Sequence, residues 1–205
     1  MLFDVTRSEL VEIFGEDRLA TLPATAFPPS AAQSEGARLL GTVGAPTGTL
    51  ALRTPDEETG RLPLVQDVVD VEEFEDAPQD AGGWPVIGWL LNAHLALDPA
   101  SGAVHAFDPD EETAMVLHTD VSSLVQVTVR FQRLLEEFTF SGGEDGEEAD
   151  FERLEAEVER IGRETGSVDP LPFQDDETAW TVVGEEIAAG QRFKGDSPGA
   201  RSLYG

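Results

Sequence analysis

The sequence contains no cysteine. Disulfides, thiolate metal sites and a cysteine nucleophile are therefore all excluded. Basic residues are scarce as well: 13 Lys and Arg stand against 41 Asp and Glu, a formal net charge of −28. A surface of that sign repels phosphate backbones and anionic lipid, which argues against nucleic acid or a membrane as a partner. No run approaches the ~18 apolar residues that a spanning helix needs. The N-terminus, "MLFDVTRSEL", carries an acid at position four and no apolar stretch, so no secretion signal is expected and a cytoplasmic location is. G-x-S-x-G, G-x-x-x-x-G-K-[ST] and H-E-x-x-H are missing too.

What is present suffices for a folded core. The chain has 205 residues, 40% of them hydrophobic, which predicts one domain over residues 1–190 and a loose tail over 191–205. The acid excess would attract basic proteins, and it is equally what a solubility requirement or an acid-biased proteome would produce.

The pattern of elements begins with "TRSELVEIFG", a short helix with capping-box spacing between Thr6 and Glu9 and Gly15 as its stop. "AAQSEGARLLGTVGAP" reads as a second helix, and Leu50–Arg53 and Leu62–Val69 as edge strands. Residues 70–83 form an acidic loop. From Val86 to Leu97 the odd positions Ile87, Trp89, Leu91, Ala93, Leu95 and Leu97 are all apolar, which predicts a long strand, or two joined strands, with one buried face. "DPASG" is a turn in which Gly102 takes the left-handed conformation; Ala103–Phe107 returns and Thr113–Leu117 follows. Asp120 caps the best helix in the chain, 121–138. An acidic flexible segment at about 141–150 leads to a charged helix, "FERLEAEVERIGRET", and then to "DDETAWTVVGEEIAAG", which ends at Gly190.

Few residues suggest chemistry. With a four-residue loop, Asp98 pairs with Ala103, and His94 and His105 become diagonal neighbours on the outer face of the hairpin. Two histidines are one ligand short of a zinc site, so half-exposed strand residues are the better reading and no metal is expected. Carboxylates lie in polar runs that favour solvation over the buried, shifted state a general acid needs. Trp84, Trp89 and Trp180 read as core. No catalytic residue and no cofactor are expected.

The order of motifs is more informative than any one of them. A turn with Asp98, Ser101, Gly102 and Val104 is followed by a helix entry with His118, Asp120, Ser122 and Leu124. A final helix carries Trp180, Val183, Glu185, Glu186, Ile187 and Gly190. From about residue 30 to residue 190 this resembles the SUKH superfamily, and within it the fourth subgroup of bacterial immunity proteins. The resemblance implies an α+β fold with a mostly antiparallel sheet flanked by helices from both ends of the chain. It also implies a non-catalytic protein that binds and neutralises a toxin, commonly a nuclease or deaminase domain. The alternative is an intracellular regulatory or adaptor domain with no toxin partner. For a basic toxin, the faces expected to engage are the loop with Asp70, Glu72, Glu73, Glu75 and Asp76 and the cluster Asp108, Asp110, Glu111 and Glu112.

Overall fold

The computed structural model describes residues 1–141 and 147–193, with Gly199 and Arg201. The expected flexible segment and tail therefore fall largely outside the described residues. Within them, the charged helix starts four residues earlier than its apolar stripe suggested, at Glu147. The chain divides into two compact units, 1–128 and 129–205. The class is α+β, with antiparallel sheets of five and two strands.

In the first unit, α1 (Arg7–Phe14) opens as its sequence predicts. The Thr6 hydroxyl accepts from the Glu9 N–H while the Glu9 carboxylate accepts from the Thr6 N–H, so two otherwise orphaned donors are satisfied reciprocally. Helix α2 (Glu35–Thr42) is capped by Ser34, whose oxygen accepts from the Ala37 N–H at 3.1 Å. β1 (Leu19–Ala20), after α1, meets β2 (Ala45–Pro46), after α2, in a small antiparallel ribbon that the sequence did not announce.

The main sheet has the order β3 (Ala51–Leu52), β4 (Val86–Leu90), β5 (Ala93–Leu97), β6 (Val104–Asp108) and β7 (Thr113–His118). Leu62–Val69 is not the edge strand expected. Pro63 has no N–H to give a ladder, and the Asp67 carboxylate takes the Leu64 N–H at 2.8 Å, turning Val65–Asp67 into a 3₁₀ helix. The apolar alternation from Ile87 to Leu97 does not mark one face either. The chain reverses at Leu91 and Asn92, with Leu91 at φ +54°, and the register couples odd residues to even ones: Trp89 to His94, Leu90 to Ala93. Leu90, Ala93, Leu95 and Leu97 share one buried face, while Trp89 lies on the other and is 39% exposed. Its assignment to the core is corrected accordingly, whereas Trp84 and Trp180 are buried.

The "DPASG" turn forms as drawn. Asp98 and Ala103 are joined by a 2.9 Å backbone hydrogen bond, Gly102 has φ +83°, and Leu97 faces Val104. The Asp98 carboxylate accepts from the Ala100 N–H and the Ser101 hydroxyl, so the turn is also closed by side chains. Helix α3 (Val121–Glu137) starts at Asp120, whose carboxylate accepts from the Ser123 N–H at 3.0 Å. A Cβ on Gly36 would lie 2.6 Å from a Val121 methyl and 3.3 Å from Leu97, so α2 sits against both the start of α3 and the sheet.

In the second unit, α3 continues from Val129. Helix α4 (Glu147–Gly166) buries Leu154 and Ile161, and α5 (Ala179–Ala188) buries Trp180, Val183 and Ile187. Trp180 stacks on Phe131 with centroids 5.6 Å apart and planes 4° from parallel. A Cβ on Gly184 would come within 2.9 Å of Val158, which allows α4 and α5 a close approach. The exposed side of α4 carries an Arg–Glu ladder, Glu157–Arg160–Glu164–Arg130, as its charge spacing predicted for a solvated face.

Candidate functional site

The register puts His94 opposite Phe107 and makes His105 its diagonal neighbour, so the two histidines do share a face. Around His105 that face is closed to solvent, while His94 is half-buried. The segment 65–84 lies across it, burying Val65, Phe74, Ala81 and Trp84 together with Val86, Ala96 and Phe107. His105 is 7% exposed and meets Trp84 at 4.6 Å between ring centroids. Burial holds His105 below the ordinary histidine pKa, with Asp98 and Asp80 pulling the other way. Burial also lowers His94, and Arg53 adds to the effect against the opposing charge of Asp108. His118 pairs with Val104, whose side chain faces away from His105, and its Nδ1 lies 2.9 Å from the Ser123 hydroxyl. The three histidines are thus not brought together. Among the described residues no group of three or more His, Cys, Asp or Glu is placed to hold a metal ion.

The acidic residues are arranged differently. Asp70 caps a 3₁₀ turn by accepting from the Glu72 N–H, and Asp70, Glu72, Glu73, Glu75 and Asp76 are all exposed. Phe74, in their midst, is buried edge-on against Phe107 at 5.8 Å, and Phe107 immediately precedes Asp108. One apolar anchor therefore fixes the first acidic loop to the strand that leads into the second cluster. In that cluster, the half-buried Asp108 accepts from the Asp110 N–H at 2.9 Å, Glu112 has φ +52°, and Asp110, Glu111 and Glu112 point into solvent. The Asn92 side chain donates to Asp110 at 3.1 Å and ties the β4–β5 turn to the β6–β7 turn. A shallow groove of about 640 Å³ runs along the first loop, with Val68, Val69 and Val71 beside Asp67, Asp70 and Glu72.

Sequence reasoning missed the aromatic member of this end of the sheet. Trp89 stands exposed opposite His94, and the Arg53 guanidinium lies 5.2 Å from its ring centroid. An odd–even parity change at a two-residue turn was the signal that would have moved it out of the core. On the same side of the sheet, the buried Trp84 Nε1 and His94 Nδ1 have no hydrogen-bond partner among the described residues.

The fold is thus an α+β one with an antiparallel sheet, in which the singled-out carboxylates, apart from the half-buried Asp108, stand open on loops and at a turn tip. The model of the SUKH-4 immunity protein family matches residues 5–186, and the chain belongs to that family. Membership carries toxin neutralisation as the general function, a cognate toxin protein as the general partner, and a mode of action that is generally non-catalytic. No curated protein and no solved structure matches the chain. Among the described residues no helix is long and apolar enough to cross a membrane.

Proposed function

We propose that this chain neutralises a basic, nucleic-acid-targeting protein toxin, a nuclease or deaminase domain, by stoichiometric binding in the cytoplasm and without turnover. The observation that carries the reading is the convergence of two exposed acidic segments on one sheet through the Phe74–Phe107 contact. A toxin that acts on nucleic acid needs a basic substrate groove, and a surface of opposite sign steers the encounter with it. Asp70, Glu72, Glu73, Glu75 and Asp76 supply one part of that surface, and Asp108, Asp110, Glu111 and Glu112 supply the other. Trp89 and Arg53 are of the residue types that most often anchor an interface, and the exposed Trp89 with the half-buried Arg53 against its ring supports a contact on that face of the sheet.

The test uses the toxin recovered by co-purification from native lysate and identified by mass spectrometry. Raising salt from about 50 to 500 mM shortens the Debye length from roughly 14 to 4 Å and should slow association tenfold or more. Replacing Glu72, Glu73, Glu75 and Asp76 by their amides should reproduce part of that loss, mainly in the on-rate. Trp89→Ala should act instead on dissociation. An association rate indifferent to salt and to the four substitutions would reject the acidic loop as the recognition face. Release of a turned-over small molecule would reject the binding reading itself.

A further inference from the structure

The two edges of the main sheet are unlike. On one side β3 is only two residues long, and Arg53 and Pro55 follow it, a charge and an imino acid of the kind that blunt an edge. On the other side lies β7, "TAMVLH", six residues with no charged acid or base, no proline and no glycine. Its inner side pairs with β6 from Thr113 opposite Asp108 to His118 opposite Val104. On its outer side, among the described residues, no strand is hydrogen-bonded to it.

Exposure follows the same division. Thr113 and Val116 are exposed and Ala114 and Met115 half-buried, whereas Leu117 and His118 are buried. Val116, at 37%, is one of five exposed large hydrophobic residues among those described. A register shift leaves Leu117 as the extra residue on β7, so the regular, open part of the edge is Thr113–Val116. At about 3.4 Å per residue this offers roughly 13 Å of edge, along which alternate residues of an antiparallel strand turn both N–H and C=O outward.

We infer that β7 accepts an extended, basic segment of the protein partner as a sixth strand of the sheet. Backbone hydrogen bonds supply the contact, and charge selects the occupant. Asp108, Asp110, Glu111 and Glu112 immediately precede the strand, so the open edge begins beside an acidic cluster. A second copy of this chain would bring another net −28 to the same edge and is repelled; a segment bearing Lys or Arg is attracted. The inference rests on the reading of the chain as a toxin-binding protein, from which the partner takes its charge.

The test takes the full chain and a capped synthetic peptide, Lys-Val-Lys-Thr-Lys-Val-Lys, as probe, and reads residue-level amide exchange. Protection at alternate residues of Thr113–Val116 is expected. It should vanish for the peptide with alternate backbone nitrogens methylated and for the peptide with Glu in place of Lys, and peptide affinity should fall tenfold or more in Val116→Lys. Equal binding of the methylated peptide, protection centred on Asp70–Asp76 instead of β7, or sedimentation of the free chain as a β7-paired dimer would each overturn the proposal. The toxin reading is tested separately, by survival of cells expressing the recovered toxin. If the wild type and Val116→Lys protect equally, the edge is not the docking strand and the toxin reading stands. If the wild type protects against no toxin while the peptide still docks on β7, the edge stands and the toxin reading falls.

Discussion

Trp84 and His105 meet with ring centroids 4.6 Å apart inside a face that a strand pattern alone would leave half open. A histidine whose pKa is held down by burial contributes to stability in a definite direction. The folded state holds fewer protons than the unfolded chain, so stability falls as pH drops through the unfolded value of about 6.5 and levels off below the folded value. His105→Gln should therefore flatten the decline in melting temperature between about pH 7 and 5 relative to wild type. Parallel curves would show that His105 takes up its proton equally in both states. Trp180 is a simpler case: it is fully buried and stacked on Phe131. Trp180→Ala should cost about 3–5 kcal/mol, read from the urea unfolding midpoint.

Elements formed where local signals agreed and failed where a neighbour decided. The capping box of α1, the Asp120 start of α3 and the "DPASG" turn were all legible because each is satisfied within a few residues. Leu62–Val69 was misread because Asp67 and Pro63 outweigh β propensity, and Trp89 because the turn at 91–92 exchanges faces. Strand pairing also explains a glycine that the sequence left unremarked. A Cβ on Gly88 would stand 2.5 Å from the Ala51 carbonyl oxygen, a backbone atom that cannot move without breaking the β3–β4 pair. Gly88→Ala should detach β3 and destabilise the protein by about 1–3 kcal/mol, the range for overpacking. Loss of exchange protection at Arg53, whose N–H donates to the Ile87 carbonyl at 2.9 Å, would mark that cause; unchanged protection there would argue against it.

Across the whole chain the dominant quantity is charge. The ion pairs among the described residues, such as Arg133–Glu137 and Glu157–Arg160–Glu164, are open to solvent on at least one side and worth about 0–1 kcal/mol each, so they do little against the self-repulsion of a net −28. Moderate salt should therefore stabilise the free protein: melting temperature is expected to rise between about 20 and 300 mM NaCl, as the Debye length shortens from roughly 20 to 6 Å. The same salt should weaken association with a basic partner. Opposite responses of stability and binding to one variable would separate the electrostatics of the fold from those of recognition.

The sequence by itself determined the α+β class, the family resemblance, the hairpin and its positive-φ glycine, because turn chemistry, capping and periodicity are properties of neighbouring residues. It also named both acidic clusters. Only tertiary structure decided that Phe74 fastens one cluster to the strand leading into the other, that His105 is covered, and that Trp89 and part of β7 are open. Those outcomes depend on register and on which segment crosses which face, and both are set by contacts between residues far apart in the chain.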